Sequence, residues 1–405
     1  MNLHAAKAAK PGTAALEPRA RDGAAFSLSI MHDLDAARDA WLAFEDKAAP
    51  TPFQTYHWMR AWQTAIGDKG GVSPLIVLGH RGGRLAFILP FAVERRWGAR
   101  RLAWFGQNYA DYNGPLIDPA LLPALPADFA ARTIEQVLKE APRIDYCYLA
   151  KQPQSLFGFA NPFAGFHSVD FTCRAHHAQL SHSWEDFSLS HRSSRSLRRL
   201  REKERKLATL GDVTFEQVTA PDERMRLMDL LLGWKIEQLT ARGDPVPFAD
   251  PAAQRLMRET VSAAPDDPRF RLYALKCGGR PIALAFCLVG HGQLIYYLCV
   301  YQADETARHS PGLLLLIHVF KAAIAEGLEI FDFSNGDEDY KSHWIDRSER
   351  ISVSILAWTW KGRIAASLDR ARLEAVRWVK QNPPARALAG RLLRLRYRLS
   401  QSEIR

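Results

Sequence analysis

The chain has 405 residues, of which 47% are hydrophobic and 24% charged; this is the composition of a globular protein long enough for two cores, and it excludes a disordered or fibrous chain. The formal net charge of +10 is a property of one end: residues 361–405 hold 12 Lys/Arg against 3 Asp/Glu, and the first 360 hold 42 against 41. A body that binds nucleic acid over its whole surface is therefore not implied.

Five cysteines, Cys147, Cys173, Cys277, Cys287 and Cys299, have no CxxC spacing and lie mostly in apolar runs. They read as reduced core residues of a cytoplasmic protein, with neither a disulfide nor a zinc site assigned. Residues 1–25 are Ala-rich with scattered Lys, Arg and Pro, lack the apolar segment of a secretory signal, and are expected to be a disordered leader. No run approaches the roughly 18 apolar residues that span a bilayer.

A strand is predicted at 26–30 and a helix at 33–47, with Leu34, Ala37, Trp41 and Phe44 on one face. Pro52-Phe53-Gln54-Thr55-Tyr56-His57-Trp58 leads into a second helix that presents Trp58, Ala61, Trp62 and Ala65. Strands at 75–80 and 85–93 turn on Gly82-Gly83, because two glycines supply the positive φ angles of a tight hairpin. A strand at 102–106, a helix at 128–140 and a strand at 144–149 complete this half.

A strand-like stretch at 169–175 leads to a helix over 193–210. Its Leu197, Leu200, Leu207 and Leu210 form a stripe while Arg and Lys fill the remainder. The earlier order then recurs: a strand at 213–218, helices at 222–241 and 251–263, and strands at 271–276 and 282–289 about Gly278-Gly279. A strand at 293–300, a helix at 312–326 and a strand at 329–333 follow. Finding this order twice predicts two related α/β domains, at 26–175 and 176–365, each a mixed, mostly antiparallel sheet flanked by helices, with a basic helical tail at 366–405.

Ser310-Pro311-Gly312 has the chemistry of a helix start, with Ser as cap and Pro in the first turn. A strand delivering the chain to such a start presents unpaired N–H groups that suit a pyrophosphate, and Gly312 admits a close ligand; an ordinary capped helix reads the same way. The equivalent helix of the first half is entered through 123–127 without glycine, so only the second half is equipped for an anion. Phe331-Asp332-Phe333 sets one acid in an apolar strand, either a core Asp bonded to backbone N–H groups or an active-site carboxylate. Residues 335–341 then offer three carboxylates, a phenol and an amine after the strand's carboxyl end, where α/β folds border their ligand crevice; a solvated loop has the same composition. In the first half, Gln54, Tyr56 and Trp58, and the run 107–114 with Asp111 and Tyr112, have the composition of a sugar-binding surface and equally of an ordinary turn.

At these residues the chain resembles the GNAT acyltransferase superfamily, in the tandem-domain branch that includes the cellulose-biosynthesis protein CelD and is related to the Fem peptidoglycan aminoacyltransferases. The resemblance rests on 52–58, the Asp111-Tyr112 turn, the basic helix 191–207, Ser310-Pro311-Gly312, and Phe331-Asp332-Phe333 through Gly336-Asp337 to Tyr340-Lys341. It implies two tandem GNAT-like domains and a bound acyl-CoA, with acetyl-CoA the expected one and no metal. The pyrophosphate is then expected at Ser310, Pro311, Gly312 and Leu313, and the pantetheine arm beside Leu298, Cys299, Val300 and Tyr301. One departure is that 308–312 holds one glycine where the superfamily's loop usually holds two.

In such enzymes the acceptor attacks the thioester directly, so a base takes a proton and an acid assists the thiolate. The resemblance puts Asp332 or Asp337 in the first role, Tyr340 in the second and Lys341 on the acceptor or a phosphate, with Gln54, Tyr56, Trp58, Asp111 and Tyr112 as the acceptor wall. The leading expectation is acyl transfer to an amine or hydroxyl of a sugar or polysaccharide precursor, as in exopolysaccharide or cellulose biosynthesis. A second is an aminoacyl-tRNA donor, with the basic helix on RNA phosphates. A third is a non-catalytic accessory of a polysaccharide synthase. There the tail, with Arg391, Arg394, Arg396 and Arg398 among leucines, lies on an anionic membrane or a partner, or else docks on its own domain.

Overall fold

Two Gly-Gly turns set the frame. Gly82 and Gly83 have φ of 57° and 75°, and Gly278 and Gly279 have 56° and 75°; consecutive positive φ values make the hairpin turn whose twist matches that of the strands it joins. In the computed structural model, which describes residues 26–141, 143–262, 267–336 and 339–402, each turn closes a long hairpin at the same place in one of two similar halves.

The first half runs β1 (Ser27–Met31), α1 (Arg38–Ala48), α2 (Tyr56–Trp62), β2 (Ser73–Arg81), β3 (Arg84–Arg96), β4 (Ala99–Trp104), the short β5 (Leu116–Ile117), α3 (Phe129–Glu140) and β6 (Tyr146–Pro153). A small hairpin, β7 (Ser155–Leu156) and β8 (Phe159–Ala160), leads to the long β9 (Ser168–Gln179), α4 (Trp184–His191) and the basic α5 (Ser194–Ala208). The second half runs β10 (Val213–Val218), α6 (Pro221–Arg242), α7 (Pro251–Ser262), β11 (Phe270–Cys277), β12 (Arg280–Gly290), β13 (Gln293–Tyr301), α8 (Pro311–Ala325) and β14 (Ile330–Asn335). β15 (Arg347–Ala357), α9 (Trp360–Gln381) and α10 (Pro383–Ser402) follow.

Both halves have one topology. Strands β1 to β4, and likewise β10 to β13, are joined antiparallel. A fifth strand then returns in parallel, β6 beside β4 and β14 beside β13, each after a helical crossover through α3 or α8. The expected pair of tandem α/β units, each a mixed and mostly antiparallel sheet flanked by helices, is the observed fold. The halves join without a seam into one 13-stranded sheet.

The join is an exchange. β9, which follows the first half, pairs with β14 of the second, setting His177 opposite Asp332. β15, which follows the second half, pairs with β6 of the first, setting Ser354 opposite Leu149. The two exchanged strands pair with each other, Glu349 opposite Ala175.

One core is shared, with Trp41, Phe53, Trp58 and Trp62 packed among Leu231, Met257, Phe270 and Phe286. Separate cores lie under α3, around Phe91, Trp104 and Phe163, and under α5 and α8, around Leu197, Leu200, Phe320 and Phe331. All five cysteines are free thiols. Among the described residues no helix is long and apolar enough to cross a membrane. The expected third strand at 102–106 begins earlier, at Ala99, because Trp97 and Gly98, with φ of 52° and 75°, form another tight turn. Residues 1–25 lie outside the described residues.

Candidate active site

β13 and β14 stay together for only three pairs, Gln293 with Ile330, Leu294 with Phe331 and Ile295 with Asp332, and then part. Beyond that point residues 298–301 have β12 as their strand partner on one edge, while the other edge opens into a fork. Lys235 Nζ donates to the Cys299 carbonyl at 3.0 Å, and Cys299 Sγ lies 3.7 Å from Tyr340 Oη, within hydrogen-bonding range for sulfur. Leu298 and Val300 turn into the core, and Tyr301 is partly exposed.

Past the fork the chain enters α8 through Ser310. The sequence makes this serine a cap, but its backbone is left-handed, with φ 58° and ψ 52°, and its side chain accepts no N–H from the helix. Caps work from extended backbone, which aims the hydroxyl at the first turn. Here Ser310 Oγ instead contacts Lys203 Nζ on α5 at 2.6 Å, and the Ser310 carbonyl accepts from the N–H groups of Leu313 and Leu314 at 3.0 and 3.1 Å. A Cβ on Gly312 would meet Tyr301 Cδ1 at 3.0 Å, so this glycine lets the Tyr301 ring lie against the first turn. The surroundings are cationic: desolvation and the charges of Arg308, Lys206 and Lys203 lower the pKa of His309.

The first half has the same fork, with β4 and β6 paired only at Arg101–Tyr146 and Leu102–Cys147. There the chain's own loop fills it. Lys151 Nζ donates to the carbonyls of Asn108 and Ala110, both at 2.7 Å. The Asn113 backbone N–H donates to the Lys151 carbonyl at 2.9 Å. Asn113 Nδ2 reaches the carbonyls of Gln107 and Ala150 at 3.1 and 3.3 Å.

The same loop crosses to the second half. Tyr112 Oη and the Ser334 N–H both donate to Asp332 Oδ1, at 2.8 and 2.6 Å, and His177 Nδ1 is 3.7 Å from Asp332 Oδ2. Ser334 Oγ hydrogen-bonds Asp111, whose carbonyl accepts from Asn335 Nδ2 at 3.2 Å. Asp332 is 1% exposed. Burial raises its carboxyl pKa, and His177, Tyr112 and the Ser334 N–H offset part of that rise. Burial and the Asp332 charge drive the Tyr112 phenol well above its ordinary value. Asp332 is bonded to a backbone N–H and also borders a cavity of about 320 Å³. That cavity lies between the halves, with Thr51, Tyr112 and Phe157 on one side and His177, His291 and Asp332 on the other.

Of the expected acceptor wall, Asp111 and Tyr112 meet Ser334 and Asp332 of β14, and Gln54, Tyr56 and Trp58 do not. Gln54 Nε2 donates to the Tyr112 carbonyl at 2.8 Å while its own oxygen accepts from Thr51 at 2.6 Å. Tyr56 Oη donates to Asp35 at 2.6 Å. Trp58 is wholly buried, stacked on Phe270 in the shared core. Lys341 is also buried; its Nζ donates to the carbonyls of Phe333 and Gly336 at 2.9 and 3.2 Å and so braces the end of β14. Pro311 is buried, and Cys299, Leu313 and Tyr340 are half-buried. Asp337 lies outside the described residues.

Three residues of the site escaped the sequence reading: His177, Lys203 and Lys235. Lys203 left a signal, since it falls on the line of Leu200 and Leu207, where a residue turned outward is not expected. Beside it, Glu204 meets His318 of α8 at 2.8 Å. His177 faces Asp332 only through the strand exchange, which leaves no local trace. No group of three or more His, Cys, Asp or Glu side chains is arranged for a metal ion among the described residues.

Residues 194–342 match the model of the Acetyltransferase (GNAT) domain family, a span running from α5 through the open fork to Tyr340 and Lys341. No curated protein matches the chain. The crystal structure of FemX is similar at 10% identity and a TM-score of 0.55, covering 81% of this chain and 97% of that one. The C-terminal DUF2156 domain of an Agrobacterium fabrum protein assigned as a lysylphosphatidylglycerol synthetase is similar at 13% identity and a TM-score of 0.50, covering 83% and 95%. A conserved protein of unknown function from Bacteroides thetaiotaomicron is similar at 11% identity and a TM-score of 0.51, covering 82% and 100%. Identities this low establish the fold alone. The chain thus has the GNAT fold twice in tandem, and its second half carries the match to the acetyltransferase domain.

Proposed function

We propose that the protein is an acyl-CoA-dependent acyltransferase that moves an acyl group, acetyl in the first instance, to an amine or hydroxyl of a sugar or polysaccharide-related acceptor. The observation that carries this reading is the asymmetry of the two forks. One is stitched by residues 107–113, while the other is open beside a cationic helix start.

The residues at the open fork fit the cofactor. The open edge of 298–301, where Lys235 already holds the Cys299 carbonyl, offers its remaining backbone groups to an amide-bearing arm. Lys203, Ser310 and Gly312 offer charge, a hydroxyl and backbone to a pyrophosphate, with Leu313 in the turn behind them. Bound acyl-CoA would supply the activated thioester. Tyr340, in contact with Cys299 at the fork, holds the phenolic proton for the departing thiolate. Asp332 and its neighbour His177 take the acceptor's proton on the cavity side, and Asp337 is the alternative base. In this reading 26–175 form an acceptor-binding domain and 176–365 the cofactor-binding domain. The protein acts in the cytoplasm, and the basic C-terminal segment is where a synthase or the inner membrane face meets it.

A second reading takes its donor from aminoacyl-tRNA, and α5 favours it by exposing Arg195, Arg198, Arg199, Arg201 and Arg205 beside the fork. Titration with acetyl-CoA and, separately, with aminoacyl-tRNA decides between them. Saturable acetyl-CoA binding that Gly312→Glu abolishes supports the first, and tRNA binding alone overturns it. Binding of neither leaves the non-catalytic accessory role.

A further inference from the structure

The C-terminal helices carry an apolar face that no other part of the chain covers among the described residues. α9 is fixed on its inner side. The Thr359 hydroxyl accepts from the Gly362 N–H at 3.0 Å and donates to Asp145 at 2.7 Å, and Ala365, Ala366 and Leu373 pack on Tyr146, Val353 and Ile355. Buried Asp369 accepts from Trp97, Tyr146 and Arg101 at 2.8, 2.9 and 3.2 Å.

The outer side is different. Trp360, Ile364, Leu368 and Trp378 are 68%, 55%, 44% and 59% exposed. At 3.6 residues per turn they fall within a strip about 80° wide, with a tryptophan at each end and about 27 Å between them. Ala371 and Ala375 fill the gap on the same line, and both are exposed.

α10 carries an exposed apolar row of its own. Gly390 backs onto Gly243 at the end of α6, so closely that a Cβ on Gly243 would meet the Gly390 carbonyl at 2.8 Å. Arg394 donates to the Arg242 carbonyl at 3.2 Å. These contacts dock one side of α10 and leave Leu388, Leu392 and Leu395 at 59%, 59% and 56% exposure on the other.

Charge identifies the occupant. Lys361 and Arg372 flank the strip on one side and Arg363 and Arg370 on the other, all exposed, within a segment holding 12 Lys/Arg against 3 Asp/Glu. An apolar strip ending in indoles and bordered by four cations, with Glu374 as the one acid beside it, suits a surface that is apolar below and anionic above. We propose that the outer face of α9 and α10 binds an anionic lipid bilayer, with α9 lying along the headgroup layer and Trp360 and Trp378 inserted. This inference rests on the C-terminal contact proposed above and commits it to a bilayer, and its test does not depend on acyl transfer.

Flotation of the full chain tests it, with vesicles of phosphatidylcholine alone or of phosphatidylcholine and phosphatidylglycerol in equal parts. Flotation with the anionic vesicles alone is expected, weakening with salt. The triple variant Trp360→Ser, Ile364→Ser, Trp378→Ser should lose about tenfold or more of its bound fraction. Charge reversal by Lys361→Glu, Arg363→Glu and Arg372→Glu should give the same loss, independently of the apolar changes. The proposal is overturned if the wild-type chain ignores anionic vesicles or if both variants float as well as it does. It is overturned equally if the chain ignores vesicles but forms a dimer that the serine variant dissolves, which would make the face a contact between copies.

Discussion

The Tyr112 hydroxyl donates to Asp332 Oδ1 across 2.8 Å, joining residues 220 positions apart. The half of the molecule with the filled fork thereby helps to position the acid in the half with the open one. Both groups are buried, at the wall of the cavity between the halves.

Tyr112→Phe removes one of the donors to a buried carboxylate. A loss of about 1–3 kcal/mol is expected, seen as a lower urea midpoint at unchanged slope. A midpoint within error of wild type would mean that the bond contributes nothing.

Asp332 gives a pH dependence of definite sign. Its folded-state pKa is raised, chiefly by burial, so its contribution to stability is full below the ordinary carboxylate range and is lost as pH rises through the folded value. Asp332→Asn cannot ionise. The wild-type chain should therefore lose stability relative to this variant between those two pH values, as chemical denaturation across the acid range would measure. A gap independent of pH would contradict the assignment.

Gly312 and Tyr301 should be coupled. In Gly312→Ala the new methyl meets the Tyr301 ring at 3.0 Å, and acetyl-CoA affinity is expected to fall by about tenfold, or 1.4 kcal/mol. Adding Tyr301→Ala should recover part of that loss, and a double-mutant cycle read by calorimetry measures how much. Strict additivity would show that the ring is not what the glycine accommodates.

Asp369→Ala leaves Trp97, Tyr146 and Arg101 without their shared acceptor, although Arg101 keeps Glu94. Removing one member of a buried charged cluster costs about 3–5 kcal/mol, so a large fall in melting temperature is expected. Asp369→Asn, which keeps an acceptor, should fall less.

Much of the fold was legible because its signals are local. The paired turns Gly82-Gly83 and Gly278-Gly279, and the apolar spacing of Trp41 with Phe44 and of Trp58 with Trp62, fix strand pairs and helix faces within a few residues of themselves. β15 was missed although Ile351, Val353 and Ile355 alternate, because Arg347, Glu349 and Arg350 charge its first half. Its neighbours β6 and β9 also lie far away in the chain. For the candidate site, composition pointed to the fork, to Asp332 and to the Asp111-Tyr112 turn. It had no means of finding His177, which meets Asp332 only across the exchanged strands. Nor did it distinguish Trp58, whose aromatic neighbours are all core, from a residue facing a ligand.

The exchange of β9 and β15 makes the two halves mutual hostages. A chain cut after α5 would yield one fragment in which β6 keeps β4 but loses β15, and another in which β14 keeps β13 but loses β9, while β9 and β15 themselves lose both neighbours. Each would expose a long raw strand edge, the kind that recruits other chains. Mixed together, the fragments hold complementary edges, so the cure for each is the other, and reassembly should outcompete aggregation when both are present in equal amounts.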